Sequence, residues 1–262
     1  MIRVGVIGAR GRMGREVCRA VVEDPDMTLV AAIDRSRAGE PIVRVRGAPG
    51  VDLTVSDDLQ TLLQAETEVA VDFTHPDVVM DHIRWAIDHA VHIVVGTTGL
   101  APEDLVGIEG LLDDEGSDSN VIVAPNFAIG AVLAERFAAQ GARYFPAAEI
   151  VELHHDQKAD SPSGTSLAAA RRIVAERAQS YRGPERESLS GSRGGDMDGV
   201  RVHSVRLPGL VAHQEIILGG PGQVLTIRHD SMDRSSFMPG VLLAVKEVVR
   251  RPGLTVGLEP LL

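Results

Sequence analysis

Positions 152 to 165 read Glu152, Leu153, His154, His155, Asp156, Gln157, Lys158, Ala159, Asp160, Ser161, Pro162, Ser163, Gly164 and Thr165. Two imidazoles and an ammonium this close together are groups that can move a proton near neutral pH and hold an anion. The flanking residues predict a strand over Ala148 to Leu153, a break at Pro162, and an alanine-rich helix from Thr165 to Ala178 opened by Ser163 and Gly164. A strand ending in bases, beside a helix whose first N–H groups have no partner, makes a corner for anion binding and proton transfer. Lysine is informative here because only Lys158 and Lys246 occur among 26 basic side chains. A guanidinium stays charged, whereas an ammonium near apolar surface and other cations can release its proton.

The same segment sets limits. Neighbouring side chains on a strand point to opposite faces, so His154 and His155 cannot both address one ligand unless the chain bends after Leu153. His154, His155, Asp156 and Asp160 are also metal-ligand types. Adjacent ligands on a strand diverge and no cysteine supports them, so no metal is expected.

A second motif lies about 140 residues upstream. A strand over 2–7 runs into Gly8, Ala9, Arg10, Gly11, Arg12, Met13 and Gly14, followed by a helix. Glycines at this junction let the backbone turn tightly and approach a pyrophosphate seated on the helix N-terminus. The next strand ends at Asp34, placed to accept from an adenosine 2′-hydroxyl, and Arg35 follows, able to pair with a 2′-phosphate. The two pull in opposite directions, so both NADH and NADPH are expected as cofactors, with a lean toward NADH. Arg10 adds a candidate phosphate contact. Later strand ends carry Gly96, Thr97 and Thr98, then Ala124, Pro125, Asn126 and Phe127, the edge where such sheets bind nucleotides.

The elements that position these motifs follow an α/β order. Apolar runs at 28–33, 69–73, 92–95 and 121–124 alternate with helical patterns at 12–22, 56–64, 77–89 and 102–113, the signature of a Rossmann-type doubly wound parallel sheet. A second α+β domain follows, with a helix at 128–140, the histidine strand, the 164–178 helix and β-like runs at 200–206, 213–218 and 223–228 that suggest a mixed or antiparallel sheet. Residues 179–199 read as a long loop. A closing helix over 237–249 is expected to return to the first domain, with a docked tail after it. The predicted division is a dinucleotide-binding domain of 1–126 plus 237–262 and a substrate-binding, oligomerising domain of 127–236.

Composition narrows the partners. Net charge is −11 and aromatic content 3%, which disfavours nucleic acid and anionic membrane surfaces. The single cysteine, Cys18, falls in the first helix and suits a small buried hydrophobe, and no secretory leader or spanning segment is evident. A cytoplasmic enzyme acting on a small molecule is expected.

Taken in order, the glycine loop, Gly-Thr-Thr-Gly, Ala-Pro-Asn-Phe and Glu-Leu-His-His through Pro-Ser-Gly-Thr resemble the 4-hydroxy-tetrahydrodipicolinate reductase (dihydrodipicolinate reductase) family of bacterial lysine and diaminopimelate synthesis. The resemblance spans the chain, extending to Arg228, His229, Arg234, Phe237 and Gly240; Ser161 departs from the family's alanine. It implies NAD(P)H-dependent reduction of a cyclic imine dicarboxylate, with His154 and Lys158 as the catalytic pair and Lys158 the donor. It further implies that His155, Ser163, Gly164 and Thr165 bind substrate, and that the protein is a homotetramer. Rival readings are another two-domain amino-acid or hydroxy-acid dehydrogenase, and a nucleotide-sensing regulator without catalysis.

Overall fold

The computed structural model describes all residues except 37, 43–52, 115–117 and 184–185. The chain divides into two compact units, Met1–Phe127 with Phe237–Leu262, and Ala128–Ser236.

The first unit is laid down as β1 (Ile2–Ile7), α1 (Arg12–Glu23), β2 (Met27–Ile33), α2 (Gln60–Gln64), β3 (Val69–Asp72), α3 (Pro76–Asp88), β4 (His92–Val95), α4 (Pro102–Asp114) and β5 (Val121–Val123). Its strands are apolar at consecutive positions because helices cover both faces of a parallel sheet, and β3 and β5 are buried throughout. Helix α1 buries Gly14, Val17, Cys18 and Val21, a spacing that keeps one stripe on the sheet. The helix expected from 56 begins only at Gln60. Ser56 instead continues the sheet, its N–H donating to the Ala32 carbonyl at 3.0 Å and its carbonyl accepting from Asp34 N–H at 2.8 Å.

The second unit contains α5 (Ile129–Ala142), β6 (Ala147–His154), α6 (Gly164–Glu176), β7 (Gly195–Met197), β8 (Val200–Arg206), β9 (Ala212–Gly220) and β10 (Gln223–Ser231). Its sheet runs β10-β9-β6-β8-β7. The sheet is mixed, as expected: β9 and β10 pair antiparallel, whereas β8 pairs with β6 in parallel, setting His154 beside Arg206. Strand β7 lies inside the stretch expected to be loop alone. The core of this unit joins Ile150, Val200, Val202, Ile216 and Leu218 of the sheet to Ala138, Ala169 and Ile173 of the helices.

Helix α7 (Met238–Val248) packs on α1 and β4 in the first unit, and β11 (Leu254–Val256), unforeseen in the sequence, adds a sixth parallel strand beside β5. Asn120 fastens this tail, donating to the Val248 carbonyl at 2.8 Å and accepting from Gly253 N–H at 3.2 Å. Among the described residues no helix is long and apolar enough to cross a membrane.

Candidate active site

Between β1 and α1 the glycine loop uses most of its own donors. Gly8 and Ala9 N–H donate to the Ile33 carbonyl, Gly11 N–H to the Gly8 carbonyl, and Arg10 N–H to Asp34 Oδ2 at 2.8 Å. Among the described residues the N–H groups of Arg12 and Met13, in the first turn of α1, have no partner, and the helix dipole there also favours an anion. Gly14 makes this closeness possible: a Cβ there would lie 2.0 Å from the Gly8 carbonyl oxygen.

A cavity of about 480 Å³ opens at this edge, lined among others by Gly8, Gly11, Asp34, Arg35, Phe73 and His82. Burial pushes the Asp34 carboxyl up, but hydrogen bonds from Ser36 and Arg10 outweigh it and hold the group below its ordinary value. Asp34 is therefore an ionised acceptor with capacity left for a hydroxyl. The Arg10 guanidinium is bound to Glu40 at 3.2 Å and to the Pro41 carbonyl at 3.0 Å, and it is absent from the cavity lining. The loop, the helix donors and the ionised Asp34 carboxylate at one sheet edge fit a dinucleotide.

Several other sequence-predicted residues contribute from behind. Ala9, Thr97, Ala124 and Phe127 are buried, with the Phe127 ring against Phe73 at a centroid distance of 5.7 Å. Gly96 leaves room for that Phe73 ring, which a Cβ would meet at 2.1 Å. Thr98 and Pro125 are exposed and Asn126 is partly so. Thr97 points inward to Asp72, a residue that sequence reasoning passed over. The fully buried Asp72 carboxylate accepts from Thr97 Oγ1 at 2.7 Å and from Thr74 N–H and Oγ1 at 3.0 and 2.8 Å, and pairs with His82 Nδ1 at 2.7 Å. It ties the ends of β3 and β4 to α3.

In the second unit the strand runs through His154, and the bend comes after it rather than after Leu153. His155 lies beyond the strand, its carbonyl accepting from Lys158 N–H at 3.2 Å. His154 shares its face of β6 with Glu152, two residues earlier. Glu152 is fully buried and was also missed. Its carboxylate contacts His154 Nδ1, accepts from Arg206 Nη1 at 2.9 Å and Nη2 at 2.8 Å, and accepts from Ser163 N–H at 3.3 Å. Burial would raise its pKa, but hydrogen bonds from Arg206, Ser204 and His154 hold it below the ordinary range. For His154, burial lowers the pKa, Glu152 opposes this, and the charges of Lys158 and Arg206 add to the lowering; the net shift is downward.

Arg206 also donates to the Lys158 carbonyl at 3.3 Å and the Asp160 carbonyl at 2.6 Å, fixing the backbone from which Lys158 projects. The Lys158 ammonium sits on the Asp160 carboxylate at 2.7 Å. Ser163 caps α6: its Oγ accepts from Ser166 N–H at 3.2 Å. The Gly164 and Thr165 N–H groups have no partner among the described residues, and Gly164 faces open space. Two free amides, an ammonium and an imidazole thus belong to one short stretch of chain, suited to a carboxylate-bearing ligand that takes up a proton. Among the described residues no group of three or more His, Cys, Asp or Glu side chains is placed to hold a metal ion.

Comparison with known proteins covers both units. Residues 2–127 match the model of "Dihydrodipicolinate reductase, N-terminus" and residues 130–262 that of "Dihydrodipicolinate reductase, C-terminus". The chain is 51% identical over 266 residues to 4-hydroxy-tetrahydrodipicolinate reductase of Nocardia farcinica, covering all of this chain and 98% of that one. It is 49% identical over 263 residues to the protein of the same name from Mycobacterium sp. strain KMS, covering 100% and 99%. Among solved structures, a dipicolinate-bound dihydrodipicolinate reductase from Paenisporosarcina sp. TG-14 superposes with a TM-score of 0.88 at 42% identity, each chain covered in full. An amine dehydrogenase from Mycobacterium smegmatis, at TM-score 0.65 and 14% identity over 96% and 93% of the chains, shares the fold.

Proposed function

This chain belongs to the dihydrodipicolinate reductase family of pyridine-nucleotide-dependent reductases, and from that premise we propose how its residues divide the work. The substrate is the cyclic imine dicarboxylate derived from 4-hydroxy-tetrahydrodipicolinate, and the product is tetrahydrodipicolinate. The first unit holds NADH or NADPH: Arg12 and Met13 N–H receive the pyrophosphate, Asp34 the ribose, and Arg35 a 2′-phosphate when present. The bound dihydronicotinamide supplies hydride to the ring.

The second unit holds the substrate. Gly164 and Thr165 N–H receive one carboxylate at the α6 N-terminus, with Ser163 fixing that turn, and His155 flanks the ligand. Lys158 gives the proton that balances the hydride, leaving an amine that solvent reprotonates. The observation that carries this reading is the coincidence of two free helix N–H groups with His154 and Lys158 on one contiguous segment, which provides for anion and proton together. Apolar side chains exposed on the edge strand β10, Val224 at 68% and Leu225 at 39%, support association into a homotetramer. The intracellular nicotinamide pool supports a cytoplasmic place of work.

The test is a nicotinamide-absorbance assay on the freshly generated synthase product. Turnover with both cofactors is expected; no turnover with either would remove the reading.

A further inference from the structure

The residues named for chemistry, His154 and Lys158, are both held by one pair that touches no solvent-facing ligand group in that reading. Glu152 and Arg206 come from neighbouring parallel strands, and the β6–β8 register places His154 directly beside Arg206. The guanidinium meets the carboxylate with two nitrogens and spends further hydrogens on the carbonyls of Lys158, Asp160 and Val205. Such a fork fixes direction as well as charge.

An ionised carboxylate accepts and cannot donate. With Arg206 bound to both of its oxygens, Glu152 stays ionised, so the hydrogen in its contact with His154 must reside on Nδ1. A neutral ring with hydrogen on Nδ1 has only a lone pair at Nε2.

We infer that the Glu152–Arg206 pair is the positioning device of the site, locking His154 as the Nδ1–H tautomer whose Nε2 accepts from the ring N–H that forms when hydride reaches a ring carbon and the Lys158 proton reaches the ring nitrogen, and pinning the loop from which Lys158 donates. The inference rests on the proposed reductase reading and deepens it by separating two roles. His154 accepts from the new ring N–H, orienting the ring as it is reduced, and the proton on that nitrogen comes from Lys158 Nζ. The groups bearing on His154 are Glu152 on its own strand, Arg206 on β8 and Lys158 in the following loop; burial and the two cations together keep the ring neutral against the pull of the carboxylate.

The deciding measurement is the ¹⁵N spectrum of the full-length protein labelled at histidine, with His154 assigned by its loss in His154→Asn. A protonated Nδ1 and an unprotonated Nε2 are expected at pH 7, with and without pyridine-2,6-dicarboxylate. Hydrogen on Nε2 of a neutral ring, or a doubly protonated ring persisting to pH 8, would overturn the inference.

Two variants extend it. Glu152→Gln removes the charge that selects one tautomer, so mixed Nδ1 and Nε2 signals and a kcat loss of about 10²-fold are expected, with substrate KM changed far less. Arg206→Lys keeps a counter-charge but cannot span the two loop carbonyls, so kcat should fall while the His154 spectrum stays as in wild type. A merely structural role would lower both variants' stability and leave the Glu152→Gln tautomer unmixed. Because the spectrum needs no turnover, a wrong tautomer defeats this inference alone, whereas full activity in Lys158→Ala defeats the underlying reading and leaves the tautomer standing.

Discussion

Asp72 in the nucleotide unit and Glu152 in the second unit are both fully buried carboxylates at strand ends, and both hold an imidazole through Nδ1. Their other partners differ. Asp72 is surrounded by a backbone amide, two hydroxyls and the His82 ring, with no Lys or Arg bound to it among the described residues. Glu152 has the full fork of Arg206. The first arrangement is a peg: it fastens the Thr74 and Thr97 turns so that the nucleotide edge keeps its shape. The second is an electrostatic device, in which a guanidinium neutralises the acid and so frees the histidine from having to be its counter-charge. A buried acid serves scaffold or chemistry according to what neutralises it.

That contrast can be attacked experimentally, beginning where the effect should be greatest. Replacing Lys158 by Ala should cut turnover by about 10²- to 10⁴-fold, the usual loss for a general acid, while cofactor affinity holds; calorimetric titration with NADH beside steady-state rates separates the two. Arg206→Met leaves a buried carboxylate unpaired and should cost about 3–5 kcal/mol of stability in denaturant unfolding. Asp72→Asn should cost only about 1 kcal/mol. The asparagine oxygen can still accept the three bonds now made to Oδ1, and its amide can donate to His82 after a tautomer change. Equal losses in Arg206→Met and Asp72→Asn would erase the distinction between peg and device.

At the outer end of the nucleotide edge, Asp34→Ala should weaken NADH by about ten- to a hundredfold while leaving NADPH nearly unchanged, since a lost bond from a hydroxyl to a charged acceptor is worth about 1.5–3 kcal/mol. Equal weakening would remove Asp34 from the ribose. The smallest effect is in acid. Glu152 has a folded-state pKa below its unfolded value, so its contribution is complete above the unfolded carboxylate range and disappears as pH falls through the lower, folded value. Stability measured from pH 5 downward should therefore decline more steeply in the wild type than in Glu152→Gln. Parallel curves would mean that Glu152 is not depressed.

Much of this was legible in the residues themselves. The glycine loop, the β–α alternation and the Ser163 cap obey local rules of turn and helix chemistry, and the α/β class follows from them; the family resemblance rests on the ordered motifs, above all the segment from Glu152 to Thr165. Glu152 and Arg206 were missed, although a signal existed. In β6, Ala148 and Ile150 mark the buried parity, and Glu152 and His154 share it; in β8, Val200 and Val202 mark a parity that Arg206 shares. Two opposite charges on the core faces of two strands call for each other. What could not be read is that these strands are neighbours in parallel register across 54 residues of sequence separation. Strand β11 was equally hidden, because three residues carry too little periodicity to separate a strand from a docked tail.

That short strand has a consequence for the making of the protein. The nucleotide sheet receives its outer strand from residues 254–256, while its neighbour β5 ends at residue 123. A ribosome releases the chain from its amino end at about 5–20 residues per second, so β5 waits with one edge unpaired while the whole of Ala128–Ser236 is made. During that interval the second unit can fold as a self-contained insert, and the sheet gains its outer strand only when residues 254–256 emerge.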